Sequence, residues 1–507
     1  MAISPPGIFS DSVSGFYVMR SMEQGAPANH THRVDEDDIA RSLSDFTSWW
    51  TPGQYVVPWA FRGLGLDLGN SMRVTVALAW FLGLAGYWIL FRALGFSSDV
   101  AATSLAVIFS QSYVLGWGRF YHGGELLMWS YLPWFALLAM RFRGERFYEP
   151  LILGVALIFG IFLKSAFLIF GAAALGGIFL SRVGSVRSLF SRESLRGLGT
   201  VFLAVLFSLL AFWLYTSAGS SPAGTKAWVP AMPAFRAILF AAAAPLASIF
   251  DLGTPFIPES ESVEWPFEGL FLPLLFLAVC TGFLILAVLR YVSCRREYYG
   301  LAFGIYCGAV IAFSIAWSLD LLISFNVRHF RLAAILLIPG IVALLCQSTA
   351  RPWRHVFFVG LLVASMYSVW SFAYPESNKP LERAVGPAGF SHIYVDQGAL
   401  DALVELDAEF EGSQALIGVP WPQMGLEIQH SRVFDMRTGL RGAQFYRHKV
   451  LFGEVDHLLI VLPVDGAGMD SARQALRAFR GHSDWRRIHP EVEGYLFMYS
   501  GATDFSR

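Results

Sequence analysis

The chain has 507 residues, is 55% hydrophobic and only 15% charged, and has a mean hydropathy of +0.51. Soluble globular proteins carry about 25% charged residues, so this composition belongs to a polytopic membrane protein. The net charge of −1 offers no basic field for a phosphate backbone, which excludes nucleic acid as a partner. Cys280, Cys294, Cys307 and Cys346 lie in or beside apolar runs without a CxxC pair, so neither a zinc site nor a disulfide framework is supported.

The opening "MAISPPGIFSDSVSG" lacks the basic start and apolar core of a secretory signal. Residues 1–73 read as a polar segment with an early acid, Asp11, and a solvated acidic stretch, "HTHRVDEDD". Its aromatic run, Trp49, Trp50, Tyr55 and Trp59, suits a membrane–water interface. Apolar runs near spanning length follow at 74–91, 99–117, 126–140, 197–217, 269–289, 299–319, 332–350 and 355–373. Segment 150–181 is long for one span and short for two, and 235–250 is short and interrupted by Pro245.

Charge decides the parity. With 150–181 as two short helices meeting near Lys164, and 235–250 not crossing, the arginines collect in the loops 92–98, 141–149, 182–196, 290–298 and 351–354. The opposite loops hold only Arg119, Lys164, Lys226, Arg236, Arg328 and Arg331. The positive-inside rule then puts the Arg-rich loops in the cytoplasm and gives roughly ten spans over 74–373. Residues 1–73, a first outer loop, and the tail 374–507 fall on the non-cytoplasmic side of the cytoplasmic (inner) membrane. A first span is then expected ahead of residue 1.

After the linker "YPESNKPLERAVGP", the tail reads as a soluble α/β domain. "SHIYVD", "QALIGVP", "RVFDMR", "DHLLIVLP" and "YLFMYS" are strand-like, and 398–411 and 467–480 have helical periodicity. The tail's 13 Lys and Arg against 18 Asp and Glu make it a poor match for anionic headgroups.

Apart from Lys164, charge is confined to the ends of the spans, and on the outer side it gathers as Asp11, Arg119, His122, Glu125, Lys164, Asp320, Arg328, His329 and Arg331. An ion-coupled transporter or a lipid flippase would place polar groups near mid-membrane, which weakens that alternative. A non-catalytic scaffold would not need these residues to converge. A reaction at the membrane–water boundary on a lipid-borne substrate would. Blander roles are open to some: Asp11 suits a helix N-cap, and Glu125 suits the first turn of the helix entering at Leu126.

Four stretches carry a family resemblance. They are "GIFSDSVSGFYVMRSMEQGAP", "FTSWWTPGQYVVPWAFRGLGLDLGNSMRVTVAL", "GVALIFGIFLKSAFLIF" and "NVRHFRLAAILLIPGIVALL". In order and common side they resemble the polytopic GT-C glycosyltransferases, the class of protein O-mannosyltransferases and aminoarabinose transferases. The resemblance covers about residues 5–375. It implies an α-helical polytopic membrane domain with a soluble outer α/β domain. It also implies transfer of a sugar from a polyprenyl-phosphate-linked donor to an acceptor glycan, lipid or protein. By the resemblance, Asp11 is the general base or a metal ligand, and Lys164, Arg328 and Arg331 hold the donor phosphate. Arg119, His122, Glu125 and His329 are placed at the rim of the acceptor or donor site. A divalent Mg or Mn ion is the cofactor this class admits, although no adjacent acidic pair follows Asp11.

Overall fold

A computed structural model describes residues 6–48, 51–183, 187–219, 234–249, 269–319, 323–347, 351–373, 384–393, 395–435, 451–464 and 476–501. The side chains of residues 10, 11, 234, 347, 351–354, 357, 371–373 and 435 lie outside that description. The chain divides into two compact units. Unit 1 comprises Met1–Val76, Gly118–Gly123 and Lys379–Arg507, and unit 2 comprises Ala77–Trp117 and Gly124–Asn378.

Among the described residues, the apolar runs read from the sequence are helical over most of their length. The helices are α1 (Ser10–Glu23), α2 (Gly53–Arg62), α3 (Leu68–Ala93), α4 (Ser98–Phe109), α5 (Ser112–Arg119), α6 (Gly124–Arg141), α7 (Glu149–Leu163) and α8 (Phe167–Arg182). They continue with α9 (Arg192–Ser217), α10 (Ala234–Ala247), α11 (Phe271–Tyr291), α12 (Arg296–Ser318), α13 (Arg331–Gln347), α14 (Arg351–Ala373) and α15 (Gln397–Glu409). Among the described residues five helical segments are long and apolar enough to cross a membrane: α3, α9, α11, α12 and Val327–Cys346. The pair α4 and α5, bent by 55°, makes a sixth if it is one span. The chain is a multi-pass membrane protein. Shorter apolar helices among the described residues are α7, α8, Phe235–Ala247 of α10 and Phe358–Trp370 of α14.

The divided segment 150–181 follows from its one charge. Lys164 closes α7 in an extended conformation (φ −157°, ψ 127°), with its N–H donating to the Gly160 carbonyl at 3.0 Å. A turn at Ser165 and Ala166 then starts α8. A straight helix would carry the ammonium on into hydrocarbon, so breaking the helix here keeps it at a helix end. On the other side of α8, Gly177 faces Gly300 of α12, where an added Cβ would lie 2.0 Å from the Gly300 carbonyl oxygen. Such small-residue contacts replace the hydrophobic driving force that helices lack in lipid.

Unit 1 is built on a five-stranded sheet of β5 (Ala415–Val419), β6 (Arg432–Asp435), β7 (His457–Pro463), β8 (Arg486–Ile488) and β9 (Tyr495–Gly501), in the order β6-β5-β7-β9-β8. β5 is parallel to both neighbours, while β9 is antiparallel to β7 and β8. All five residues of β5 are buried, as a central strand covered on both faces requires. Ile417, Val419, Leu459 and Val461 point to one face, against Leu400, Leu403 and Leu406 of α15. Leu416, Leu458 and Ile460 point to the other, and what covers them includes Val34 and Ile39 from the start of the chain.

The segment ahead of α3 therefore belongs to the same compact unit as the sheet. Its hairpin, β2 (His30–Val34) and β3 (Ser42–Phe46), carries that cover. Arg432 donates to the carbonyl of Arg41 at 3.0 Å, Tyr17 to that of Pro422 at 2.8 Å, and Arg20 to that of Ser431 at 3.0 Å. Burial lowers the pKa of Arg20, with Tyr17, Asp407 and Glu23 opposing, so its charge rests on these carbonyls and nearby acids.

"SHIYVD" forms no strand among the described residues and contributes only an isolated bridge between Ser391 and Val385. Within it, His392 turns inward and meets Glu427 at 2.8 Å. Residues 374–383 of the linker and residues 467–475 lie outside the described residues, as do Asp320, Lys226 and most of the loop 218–267.

Candidate active site

In unit 2 the polar groups meet where α7 breaks. Lys164 Nζ lies 3.0 Å from Glu125 Oε1, with the two side chains only 16% and 13% exposed. Glu125 stands in the first turn of α6, a place an acid favours for the helix dipole as well. Gly124 makes the approach possible, since a Cβ there would lie 2.6 Å from Lys164 Cδ.

A single turn of 3-10 helix, Val327–Phe330, brings the late cations in. Asn326 caps it, its Oδ1 accepting from the Arg328 N–H at 2.9 Å. His329 is within electrostatic reach of Arg328, Glu125 and Lys164. Its ring stacks on Phe313 at 5.1 Å, and its buried Nε2 has no hydrogen-bond partner among the described residues. Arg331 opens α13 and sits 4.5 Å from the ring centre of Tyr113, a cation–π contact. Unit 2 thus gathers Glu125, Lys164, Arg328 and His329, with Arg331 on the next turn. Of the partners, sequence reading missed Tyr113, Phe313 and Asn326. Only Asn326 had a local signal, a capping residue two positions before Arg328.

Unit 1 carries the remaining candidates. β1 (Gly7–Ile8) pairs in parallel with β4 (Phe120–Tyr121), and the Phe9 N–H donates to the Tyr121 carbonyl at 3.1 Å. Phe9 stacks on His122, ring centres 4.5 Å apart and planes 17° from parallel. Tyr121 donates to the Gln54 carbonyl at 2.5 Å, and burial raises its pKa, which keeps it a donor. Gly123 follows at φ +57°, and a Cβ there would meet Ser12 Oγ at 2.7 Å. Arg119 ends α5 and lies 5.8 Å from the Phe120 ring centre.

The start of α1 is therefore tied to the stretch "RFYHGG" through Phe9, Ser12 and His122. Asp11 is the second residue of that helix, and its side chain lies outside the described residues. Among the described residues no group of three or more His, Cys, Asp or Glu is placed to hold a metal ion. In the acidic stretch 35–38, Asp35 accepts from the Asp37 N–H at 3.0 Å and Asp38 pairs with Arg41 at 3.0 Å, which is turn chemistry.

No family model and no curated protein matches the sequence. Solved structures do match in fold. A crystal structure of ArnT from Cupriavidus metallidurans bound to undecaprenyl phosphate aligns with a TM-score of 0.53 at 12% identity, covering 98% of this chain and 95% of that one. The apo structure of the same protein aligns with a TM-score of 0.54 at 13% identity, covering 99% and 96%. The chain has the GT-C fold. The likeness spans the bundle and the sheet domain alike, so the soluble unit belongs to the architecture.

Proposed function

We propose that the chain is an integral-membrane glycosyltransferase that moves a sugar from a polyprenyl-phosphate-linked donor to an acceptor outside the cytoplasmic membrane. The observation that carries this reading is the Lys164–Glu125 pair at the break of α7, with Arg328 and His329 in reach, in a chain that shares the fold of ArnT. A phosphate entering there would meet cations held at helix ends, two of them planar guanidinium groups suited to bidentate contact.

In the reaction, the bond between the sugar's anomeric carbon and the donor phosphate oxygen breaks as the acceptor oxygen bonds to that carbon. The bonding electrons leave with the polyprenyl phosphate, whose charge Lys164, Arg328 and Arg331 hold. The acceptor's hydroxyl proton passes to a carboxylate, the role given to Asp11. His329, with its open Nε2, and Arg119 and His122 serve substrate positioning. Glu125 acts through Lys164: it keeps the ammonium aimed until phosphate takes its place. A Mg or Mn ion beside Asp11 would share the phosphate charge.

The test uses the full chain in lipid nanodiscs. Wild-type protein is expected to bind undecaprenyl phosphate and to transfer sugar from a lipid-linked donor. Asp11→Asn is expected to keep the binding and lose transfer by about a hundredfold or more. Full transfer by that variant removes Asp11 from the mechanism. Transfer that survives a chelator assigns the phosphate charge to the side chains, and loss restored by Mg or Mn gives Asp11 a ligand's role. The sidedness has its own check: a reporter active only outside the cytoplasm should work when fused after Tyr374 and be silent at Arg192.

A further inference from the structure

A cavity of about 610 Å³ opens in unit 2 where α6 and α8 end and α9 and α12 begin. α6 runs from the Glu125 end to Arg141, so roughly 25 Å of helix separates this cavity from the Lys164–Glu125 pair. Its walls include the apolar side chains Ile178, Phe179 and Val201. Its rim carries Arg143, Arg182, Arg196 and Arg295, with Glu145, Glu193 and Glu297 between them.

The arginines are not equivalent. Arg182 donates to the carbonyls of Phe142 and Met140 at 2.5 and 2.7 Å and lies 4.0 Å from Glu297. It thereby covers the negative end of α6. Arg143, Arg196 and Arg295 are exposed and make no side-chain hydrogen bond or ion pair among the described residues. The N-terminal turns of α9 and α12 also line the cavity, through Ser194 and Glu297, and add their positive ends. Beside it, Phe190, Leu195 and Leu198 are 77%, 51% and 48% exposed, as side chains at a lipid interface are. A positive-inside bias explains arginines in loops. It does not explain apolar walls between helix ends beneath a guanidinium rim.

We propose that this cavity binds the headgroup of an anionic membrane phospholipid. Arg143, Arg196 and Arg295 hold the phosphodiester, and Phe179, Ile178 and Val201 take the first methylenes of the chains. Basic pockets between membrane helices favour such headgroups. Glu145 and Glu193 on the same rim limit the negative charge it accepts, which suits a singly charged phosphodiester over a free phosphate dianion. The site is independent of the sugar-transfer reading, because it lies at the other end of α6.

Native mass spectrometry of the full chain in nonionic detergent tests it, with phosphatidylglycerol, phosphatidylcholine or inorganic phosphate added. Phosphatidylglycerol is expected to bind about tenfold more tightly than phosphatidylcholine, and inorganic phosphate not at all. Arg196→Gln combined with Arg295→Gln should weaken phosphatidylglycerol by about tenfold or more. Arg143→Gln, on a loop, gives a second reading if the double variant does not fold. Equal affinity for the two lipids, binding of phosphate alone, or undiminished phosphatidylglycerol binding in whichever variant folds would overturn the assignment.

Discussion

Lys164 in the bundle and Arg20 in the sheet domain are both largely buried cations, and they are handled in opposite ways. Lys164 pairs with the carboxylate of Glu125 in a surrounding of apolar helices. Arg20 is answered by backbone carbonyls, those of Gly425 and Ser431, more than four hundred residues along the chain. The difference lies in what each can exchange. A carbonyl pair has no reason to open, whereas a carboxylate can yield its ammonium to an incoming phosphate of the same charge sign. The first arrangement fastens a domain, and the second, on the proposed function, keeps a cation ready.

The contrast breaks most visibly at Lys164. Lys164→Met is expected to lower undecaprenyl phosphate affinity by about a hundredfold and to cost about 3–5 kcal/mol of stability, because Glu125 keeps a buried charge with its ion partner removed. Adding Glu125→Gln should return most of the stability and none of the binding. A double variant that binds normally would make the pair a strut rather than a phosphate site. Glu125→Gln alone should bind undecaprenyl phosphate at least as tightly as wild type, which a surface-plasmon titration reads directly.

In the sheet domain the sharper probe is apolar. Ile39 is fully buried against the face formed by Leu416, Leu458 and Ile460. Ile39→Ala should cost about 2–4 kcal/mol and loosen the first loop and the tail together, as hydrogen exchange in both segments would register. Exchange confined to residues 30–46 would mean that the tail's sheet stands without its cover.

The smallest effect concerns His457, which stacks on Phe410 at 4.7 Å and meets Tyr499 Oη through Nδ1 at 2.8 Å. Burial lowers its pKa, with Asp456 opposing. The unfolded chain therefore takes up the proton first as pH falls. Stability is unaffected above the ordinary histidine value of about 6.5 and declines below it until the folded state protonates too. His457→Gln should flatten that slope in denaturant titrations between about pH 6.5 and 5. An unchanged slope assigns the acid sensitivity to other groups.

Much of the bundle was legible in the sequence because lipid leaves few alternatives: backbone groups must be satisfied within each run, and a lone charge must reach a helix end. The helix positions, the break at Lys164 and the polar cluster around it follow from that. The strands "QALIGVP", "DHLLIVLP" and "YLFMYS" were equally plain, being apolar runs of strand length. "SHIYVD" misled, since its alternation serves an inward-turned histidine rather than a strand.

What the tertiary structure alone decided is which segments share a domain and which neighbour answers each charge. The sheet's second face needs apolar cover, and nothing local to β5 or β7 says that Val34 and Ile39, nearly four hundred residues upstream, supply it. Likewise Tyr113 beneath Arg331 and Phe313 beneath His329 look like ordinary span aromatics until the helices pack. Periodicity and charge act along the chain and can be read from it. Cover and pairing act across it, between residues whose separation in sequence carries no information about their distance in space.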